Sequence, residues 1–184
     1  SITPAIPPSE NVAINPKNGE VVAMVGSRDY FNQSREGNVN VASSKRPPGS
    51  AFKPIIYATA FNKGFTPETV LFDLSTEFQT TCDAGGKALP GKNQKDCYKP
   101  DNYDGKNRGP MTLRDALAQS INVIAVKLFY LAGLSDSLRT AESMGISTLG
   151  DIGRYGLTLV IGGGEVSLLD MTSAYSVFAN NGYR

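Results

Sequence analysis

Ser50 and Lys53 are the residues whose types and spacing most directly suggest covalent chemistry. They form a Ser-x-x-Lys motif just after a Pro-Pro-Gly sequence and just before the apolar segment 55–62. On a helix the i, i+3 spacing brings the lysine amine towards the serine hydroxyl, and burial at a helix N-terminus disfavours the ammonium form. A neutral lysine there could act as the base that activates the serine. The motif is short, so a solvated serine and lysine are the alternative, but the sharp entry and the apolar helix favour a functional pair.

Ser120 and Asn122 form a second, weaker motif, Ser-x-Asn, between two predicted helices. At a helix junction a hydroxyl could relay a proton to a leaving amine, and a carboxamide could orient a substrate amide and the lysine. The alternative is a serine that caps a helix beside an asparagine that bridges two helices. Another copy of the motif at 9–11 lies in a proline-rich leader and is set aside.

The composition limits which chemistries the chain can perform. None of the 184 residues is histidine, which excludes Ser-His-Asp and Cys-His catalysis and histidine-based metal sites within this sequence. Hydrophobic residues at 40% and charged residues at 19% are typical of one globular domain, and the formal net charge of +1 does not indicate nucleic-acid binding. No apolar run is long enough to span a bilayer. Neither a metal ion nor an organic cofactor is implied.

The two cysteines, Cys82 and Cys97, lie in a segment rich in Gly, Lys, Asn and Asp. A disulfide between them would stabilise such a loop by roughly 3 kcal/mol in the chain-entropy model. The alternative is two unpaired thiols, and an oxidising compartment would favour the disulfide. Two cysteines without histidine provide too few ligands for a metal site.

The elements that would position these residues begin with a β-hairpin. Apolar runs at 12–14 and 21–27 flank a turn that contains Pro16 and Gly19, the residue types that favour a tight reversal. The polar segment 28–44 that follows has no periodicity and is predicted to be loop.

Helices are predicted where apolar residues recur with helical spacing between a capping residue and a glycine. Pro54 is tolerated only in an opening turn, so the first helix must begin close to Ser50. The segment 66–110 is predicted to be mostly loop, and 157–161 is a short apolar run before three glycines. The predicted helices run from near Ser50 to 62 with Gly64 as the stop, from Thr112 as cap with Asp115, over 123–131 up to Gly133, over 136–144 between Ser135 and Gly145, and over 168–179 with Ser167 as cap and Asp170.

A longer stretch around the first motif resembles a known family. Residues 46–54, Arg-Pro-Pro-Gly-Ser-Ala-Phe-Lys-Pro, closely resemble the active-serine motif of class A (bifunctional) penicillin-binding proteins. Three further stretches agree in the same order. Residues 12–26 resemble the family's opening hairpin, 100–103 with 111–120 resemble the approach to its second motif, and 165–182 resemble the helix shortly before its third.

This resemblance implies an α+β fold of the penicillin-binding and serine β-lactamase-like type, in which helices cover an antiparallel sheet and a helical subdomain carries the second motif. It implies that Ser50 is the acylated nucleophile, that Lys53 is its base, that Ser120 relays a proton and that Asn122 orients the acyl donor. Ser50 would attack the penultimate D-alanine carbonyl of a peptidoglycan stem peptide and pass the acyl group to an amine of a neighbouring stem. β-Lactams would acylate the same serine, and the amide of Ser50 would be one oxyanion donor.

The sequence also departs from the family's pattern. The third motif, Lys-Thr/Ser-Gly, occurs nowhere in it, and Lys-Asn-Gly at 17–19 is a hairpin turn. We therefore expect residues 1–10 to be a linker and 11–184 to be the N-terminal portion of a transpeptidase domain that is cut off before the third-motif strand. Such an incomplete chain is expected to be inactive alone. A phosphate-binding role for the glycines at 162–164 is not favoured, because no Lys-Ser/Thr follows them.

Two other functions use the same residues. A D,D-carboxypeptidase or serine β-lactamase would pass the acyl group to water, and a non-catalytic β-lactam sensor or scaffold would keep the fold. The expected partners are stem peptides, β-lactams, the remainder of the chain's own transpeptidase domain, an upstream glycosyltransferase domain and a membrane anchor, with no nucleic acid. The site would face outwards from the bacterial cytoplasmic membrane, towards the periplasm or cell wall.

Overall fold

The structure is a computed structural model that describes residues 10–27, 29, 31, 39–149, 156–161 and 163–184. The predicted linker therefore lies outside the described residues except for Glu10, as do most of the predicted loop 28–44 and Gly162. The described residues divide into two compact units. The first unit consists of the described residues before residue 49, together with 138–149 and 163–184. The second unit consists of residues 49–137 and 156–161.

The first unit contains the predicted hairpin. Strands β1 (Asn11–Ile14) and β2 (Val21–Val25) pair antiparallel, with a register irregularity between Ala13 and Ile14. The helix Leu168–Ala179, called α5 here, packs against β1, and its N-cap Ser167 accepts a hydrogen bond from the amide of Asp170 at 3.0 Å. Both the hairpin and this capped helix confirm the sequence prediction, although β2 ends two residues before the predicted boundary at Ser27.

The second unit is mainly helical. Its core is made where helices α1 (Lys53–Asn62) and α3 (Asn122–Ala132) pack against each other. Seven of the eleven residues of α3 are buried, which is why its sequence is apolar on nearly every side. The helical elements are a 3-10 turn at Gly49–Phe52, α1 at Lys53–Asn62, a short 3-10 turn at Gln94–Asp96, α2 at Leu113–Ala118, α3 at Asn122–Ala132, α4 at Leu134–Ser143, which continues into the first unit, and a 3-10 helix at Gly156–Ile161.

A pair of strands crosses the region that was predicted to be mostly loop, and the sequence did not predict their pairing. Strand β3 (Val70–Asp73) pairs antiparallel with β4 (Gly109–Thr112), and Met111 and Thr112 end β4 instead of opening a helix. Each strand has four residues, too few for an alternating pattern to be recognised, and the partners are separated by the disulfide-containing segment. Thr112 nevertheless caps α2 as predicted, since its hydroxyl oxygen accepts from the amide of Asp115 at 3.1 Å.

The start of α4 also differs from the prediction. Gly133 ends α3 as expected, but α4 begins at the next residue, Leu134, so Ser135 lies inside the helix and is not its cap. The amide of Ser137 donates to the carbonyl of Gly133 at 3.1 Å and the Ser137 hydroxyl donates to the same carbonyl at 2.8 Å, which ties the two helices together at this glycine. Gly145 follows the end of the helix with φ of 104°, as the predicted stop requires.

The segment between β3 and β4 is held by a disulfide. Cys82 and Cys97 are bonded, with their Cα atoms 5.7 Å apart. Hydrogen bonds supplement the cross-link, because the Glu77 carboxylate accepts from the Tyr98 amide at 2.7 Å and the Phe78 amide donates to the Tyr98 carbonyl at 3.0 Å. Neither sulfur is available as a metal-binding thiolate while the bond is intact. Among the described residues, no helix combines the length and the apolar character that a membrane crossing requires.

Candidate active site

The chain enters α1 through a sharp turn that Gly49 makes possible. Gly49 has φ of 58°, in the left-handed region that most residues avoid. The 3-10 turn Gly49–Phe52 contains Ser50, so helical structure begins close to Ser50 as predicted, and the α-helix itself begins at Lys53. Side chains at i and i+3 lie one above the other in a 3-10 turn, which places Ser50 and Lys53 on the same side. Ser50 is exposed, whereas Lys53 is only 1% exposed.

Ser120 lies at the end of α2 in a strained backbone conformation. Its φ is 54°, and its amide donates to the Leu117 carbonyl at 2.9 Å while the Ile121 amide donates to the Ala116 carbonyl at 2.9 Å. These two bonds form the Schellman motif, in which glycine usually occupies the left-handed position. A serine at this position costs about 1–2 kcal/mol, and such strain often marks a functional residue. The turn separates α2 from α3 and presents both oxygens of Ser120 to α1.

The ammonium or amine group of Lys53 is held by three neutral oxygens. The Lys53 Nζ lies 2.7 Å from the backbone carbonyl oxygen of Ser120, 3.1 Å from Ser120 Oγ and 2.7 Å from Asn122 Oδ1. Ser120 and Asn122 follow Lys53 by 67 and 69 positions in the chain, and both contact the same atom, Lys53 Nζ. The structure brings Lys53, Ser120 and Asn122 together, with Ser50 in the turn before Lys53, whereas Cys82 and Cys97 belong to the separate disulfide segment.

Burial lowers the pKa of Lys53 from its ordinary 10.5 to about 8. The cause is loss of hydration, which disfavours the charged form, and the three oxygen partners are neutral groups. A lysine with this pKa is partly deprotonated near neutral pH. It can therefore accept a proton, which an ordinary lysine cannot do at that pH.

The hydrogen-bond partners of Lys53 also suit a neutral amine. A neutral amine has two N–H donors and one lone pair. The Ser120 carbonyl and Asn122 Oδ1 can only accept, so they would use the two N–H groups, and these are the two shorter contacts. The lone pair would then face a hydroxyl, because Ser120 Oγ can donate as well as accept. This arrangement can move a proton between a serine hydroxyl and the lysine.

Asn122 is oriented by contacts with the loop before β4. Its Nδ2 donates to the carbonyl oxygen of Asp101 at 3.1 Å, which leaves Oδ1 to face Lys53. The amides of Asn122 and Val123 both donate to Asn102 Oδ1, at 3.0 and 3.1 Å. The N-terminus of α3, whose own N-cap Ile121 has no side-chain cap, is thus capped by a residue 20 positions earlier.

A second buried polar cluster adjoins the first. The carboxylate of Asp73, 0% exposed, accepts from Asn102 Nδ2 at 2.8 and 2.9 Å, from the Arg108 amide at 2.9 Å and from Asn107 Nδ2 at 3.4 Å. The Arg108 guanidinium lies 3.8 Å away. Sequence reasoning assigned no role to Asp73 or Asn102. The available signal for Asn102 was its place in the stretch 100–103, which resembles the approach to the second motif.

Comparisons with known proteins agree with the resemblance drawn from the motifs. A family model described as the penicillin binding protein transpeptidase domain matches residues 11–184. Penicillin-binding protein 2D of Bacillus subtilis (strain 168) is 36% identical over 172 residues, which are 92% of this chain and 22% of that protein. Penicillin-binding protein 1A of Aquifex aeolicus (strain VF5) is 37% identical over 175 residues, which are 93% of this chain and 21% of that protein. The chain spans about a fifth of the length of these curated relatives.

Solved structures show the same similarity. The crystal structure of penicillin-binding protein 1A from Haemophilus influenzae matches with a TM-score of 0.75 at 30% identity, over 94% of this chain and 23% of that one. The structure of PonA1 from Mycobacterium tuberculosis in complex with penicillin V matches with a TM-score of 0.70 at 21% identity, over 92% of this chain and 43% of that one. At the lower identity the likeness concerns the fold.

Proposed function

The chain belongs to the penicillin-binding protein transpeptidase family, with the α+β fold predicted from its sequence, and on this premise we propose that it carries the acyl-enzyme site of a peptidoglycan D,D-transpeptidase. The observation that carries the proposal is the buried Lys53, held by neutral oxygens of Ser120 and Asn122 and preceded by the exposed Ser50. This is the arrangement that an activated serine nucleophile needs when no histidine is present.

In the first half-reaction the Ser50 hydroxyl attacks the carbonyl carbon of the penultimate D-alanine of a stem peptide. The hydroxyl proton passes to neutral Lys53, the bond between Ser50 Oγ and the carbonyl carbon forms, and the amide bond to the terminal D-alanine breaks. The proton then returns to the leaving amine through the Ser120 hydroxyl, which lies 3.1 Å from Lys53 Nζ. The Ser50 amide is our proposed donor to the oxyanion.

In the second half-reaction an amine of a neighbouring stem peptide attacks the Ser50 ester. The amine loses a proton to the Ser120 and Lys53 pair as the new amide bond forms. The ester bond between the acyl carbon and Ser50 Oγ then breaks, and Ser50 Oγ takes up that proton. Asn122 would orient the acyl donor through its carboxamide, which is already fixed by Asp101 and Lys53. A β-lactam would enter the same sequence by opening its ring amide on Ser50.

The pH dependence of acylation follows from the role of Lys53. The base must be neutral, and its pKa is about 8, so the acylation rate should rise with pH up to and through that value. A rate that fell over the same range would contradict a lysine base.

The whole protein's context is part of the same proposal. We propose that 11–184 is the N-terminal portion of the transpeptidase domain, that the domain faces the outside of the cytoplasmic membrane, and that a glycosyltransferase domain and a membrane anchor accompany it. The support for this context is the similarity to much longer penicillin-binding proteins. Because no Lys-Thr/Ser-Gly tripeptide occurs in the sequence, the isolated 184-residue chain should not be acylated.

The test is to incubate the full-length protein with a fluorescent penicillin and to locate the label by mass spectrometry. We expect the label on Ser50, no label in Ser50→Ala, and full labelling in the control Ser143→Ala, which removes an exposed hydroxyl of α4. A full-length protein that stayed unlabelled would overturn the acyl-enzyme proposal. Label on the isolated chain would overturn only its expected inactivity. A D-Ala-D-Ala pentapeptide supplied with an amine acceptor then distinguishes a cross-linked product from hydrolysis by a carboxypeptidase.

A further inference from the structure

We infer that Asn102 is a positioning residue of the active site, because it joins the N-terminus of α3 to the buried carboxylate of Asp73 and thereby fixes Asn122 against Lys53. The inference rests on the proposed function for its catalytic consequence, but its structural consequence can be measured independently. Asn102 is 7% exposed, and it is not expected to touch the reacting atoms.

The two ends of the Asn102 side chain make different contacts. Its Oδ1 accepts from the amides of Asn122 and Val123, at 3.0 and 3.1 Å. Its Nδ2 donates to both oxygens of Asp73, at 2.8 and 2.9 Å, and to the Lys106 carbonyl at 2.8 Å. Every polar atom of the amide is therefore used, and each is within hydrogen-bond distance of a buried or half-buried partner.

The orientation of this amide is determined by chemistry. Backbone N–H groups can only donate and an ionised carboxylate can only accept, so the oxygen must face α3 and the nitrogen must face Asp73. Among the common side chains of this size, only an amide offers an acceptor at one end and two donors at the other. Leucine would lose both sets of bonds, and aspartate would place a second carboxylate against Asp73.

The link from Asn102 to Lys53 passes through a single residue. Asn122 is the first residue of α3, its backbone amide is held by Asn102, and its side-chain oxygen lies 2.7 Å from Lys53 Nζ. A shift of the α3 N-terminus would move that oxygen and also the adjacent Ser120 carbonyl. Misplacement of reacting groups by about 1 Å can lower a rate by as much as a hundredfold.

The experiment measures penicillin acylation of the full-length protein by stopped flow, per folded molecule. Asn102→Ala should lower the acylation rate constant roughly tenfold to a hundredfold, with the dissociation constant of the non-covalent complex nearly unchanged. The matched control is Asn107→Ala, because Asn107 donates to the same Asp73 carboxylate at 3.4 Å. We expect the control to react at the wild-type rate. Equal rate constants for Asn102→Ala and the wild-type protein would overturn the inference.

A second variant covers the case in which Asn102→Ala does not fold. In Asn102→Asp the protonated carboxyl keeps an acceptor for the α3 amides and one of the two donors of the original amide, whereas the ionised form repels Asp73 and keeps no donor. The acylation rate of Asn102→Asp, divided by that of the wild-type protein, should therefore fall as pH rises. The pH at which this ratio is halfway through its fall is set by the neighbouring charged groups, Asp73 and the Arg108 guanidinium. A ratio that is constant with pH would contradict the inference.

Hydrogen exchange tests the positioning step without reference to acylation. The amides of Asn122 and Val123 should exchange at least tenfold faster in a folded Asn102 variant than in the wild-type protein, while exchange in the buried part of α1 stays unchanged. Unchanged protection of both amides would overturn the inference even if acylation of the variant were slower than that of the wild-type protein. A wild-type protein that is not acylated would contradict the proposed function alone, because the exchange result does not depend on it.

Discussion

Lys53 and Asp73 are both buried ionisable side chains of the second unit, and they differ in the groups that contact them. Among the contacts of the described residues, Lys53 is held by three neutral oxygens. Asp73 instead receives hydrogen bonds from two asparagine side chains and a backbone amide, with the Arg108 guanidinium 3.8 Å away. Asp73 thus has hydrogen-bond donors and a cation nearby, whereas within the described part of the chain no carboxylate is bonded to Lys53.

This difference distinguishes the carboxylate of Asp73, which anchors its neighbours, from the amine of Lys53, for which we propose a role in catalysis. A buried carboxylate that accepts several hydrogen bonds holds its neighbours in place. A buried lysine with neutral partners gives up its proton more easily, and burial lowers its pKa to about 8. Asn102 and Asn122 connect the two clusters, and by our inference the Asp73 carboxylate thereby supports the position of the Lys53 amine.

The largest expected effect comes from removing the reactive amine. Lys53→Met should lower the rate of penicillin acylation by a factor of about 10³ or more, because the serine loses its base while the buried volume is retained. The matched control is Lys127→Met, which removes a lysine whose amine bonds to the carbonyls of Phe72 and Leu74 beside Asp73. Acylation rates of both variants should be measured at pH 8. A Lys53→Met protein as reactive as the control would refute the assignment of the base.

A smaller effect should appear in stability as a function of pH. The folded protein releases the Lys53 proton near pH 8, whereas the unfolded chain holds it up to its ordinary 10.5, so the free energy of unfolding rises with pH between these values. The difference between these two pKa values corresponds to roughly 3 kcal/mol, which is the most that the free energy of unfolding should change. Urea unfolding of the wild-type and Lys53→Met proteins from pH 7 to 10.5 would measure the difference. If the free energy of unfolding changed with pH in the same way in both proteins, the pKa of Lys53 would be the same in the folded and unfolded states.

The smallest effect is expected from neutralising the structural anion. Asp73→Asn replaces an acceptor oxygen with a donor among groups that already donate, and one buried donor is left unpaired. We expect a loss of about 1.5 kcal/mol in the free energy of unfolding at pH 7. Asn107→Ala, which removes only the 3.4 Å bond to the same carboxylate, should lose less than half of that amount. If the two variants were equally stable, the Asp73 cluster would not be a structural anchor.

Local signals predicted much of the fold because they act over a few residues. Pro54 in the opening turn, the caps at Thr112 and Ser167, and the stop at Gly133 each follow from bonds made within one turn of the chain. Ser135 misled the prediction, because a residue type that often caps helices can also lie inside one. The β3 and β4 pairing was missed for a different reason, since two four-residue strands gain their stability from each other and not from their own sequences.

The sequence by itself determined the family, the α+β fold and the four residues proposed for the chemistry, because motif composition and order are properties of the chain alone. Only the tertiary structure decided what surrounds Lys53. Its pKa depends on burial, and its three oxygen partners come from residues 67 and 69 positions away. The same holds for the link from Asp73 through Asn102 to Asn122, which joins residues distant in the chain. Hydrogen bonds and desolvation depend on distances in space, and those distances exist only once the chain has folded.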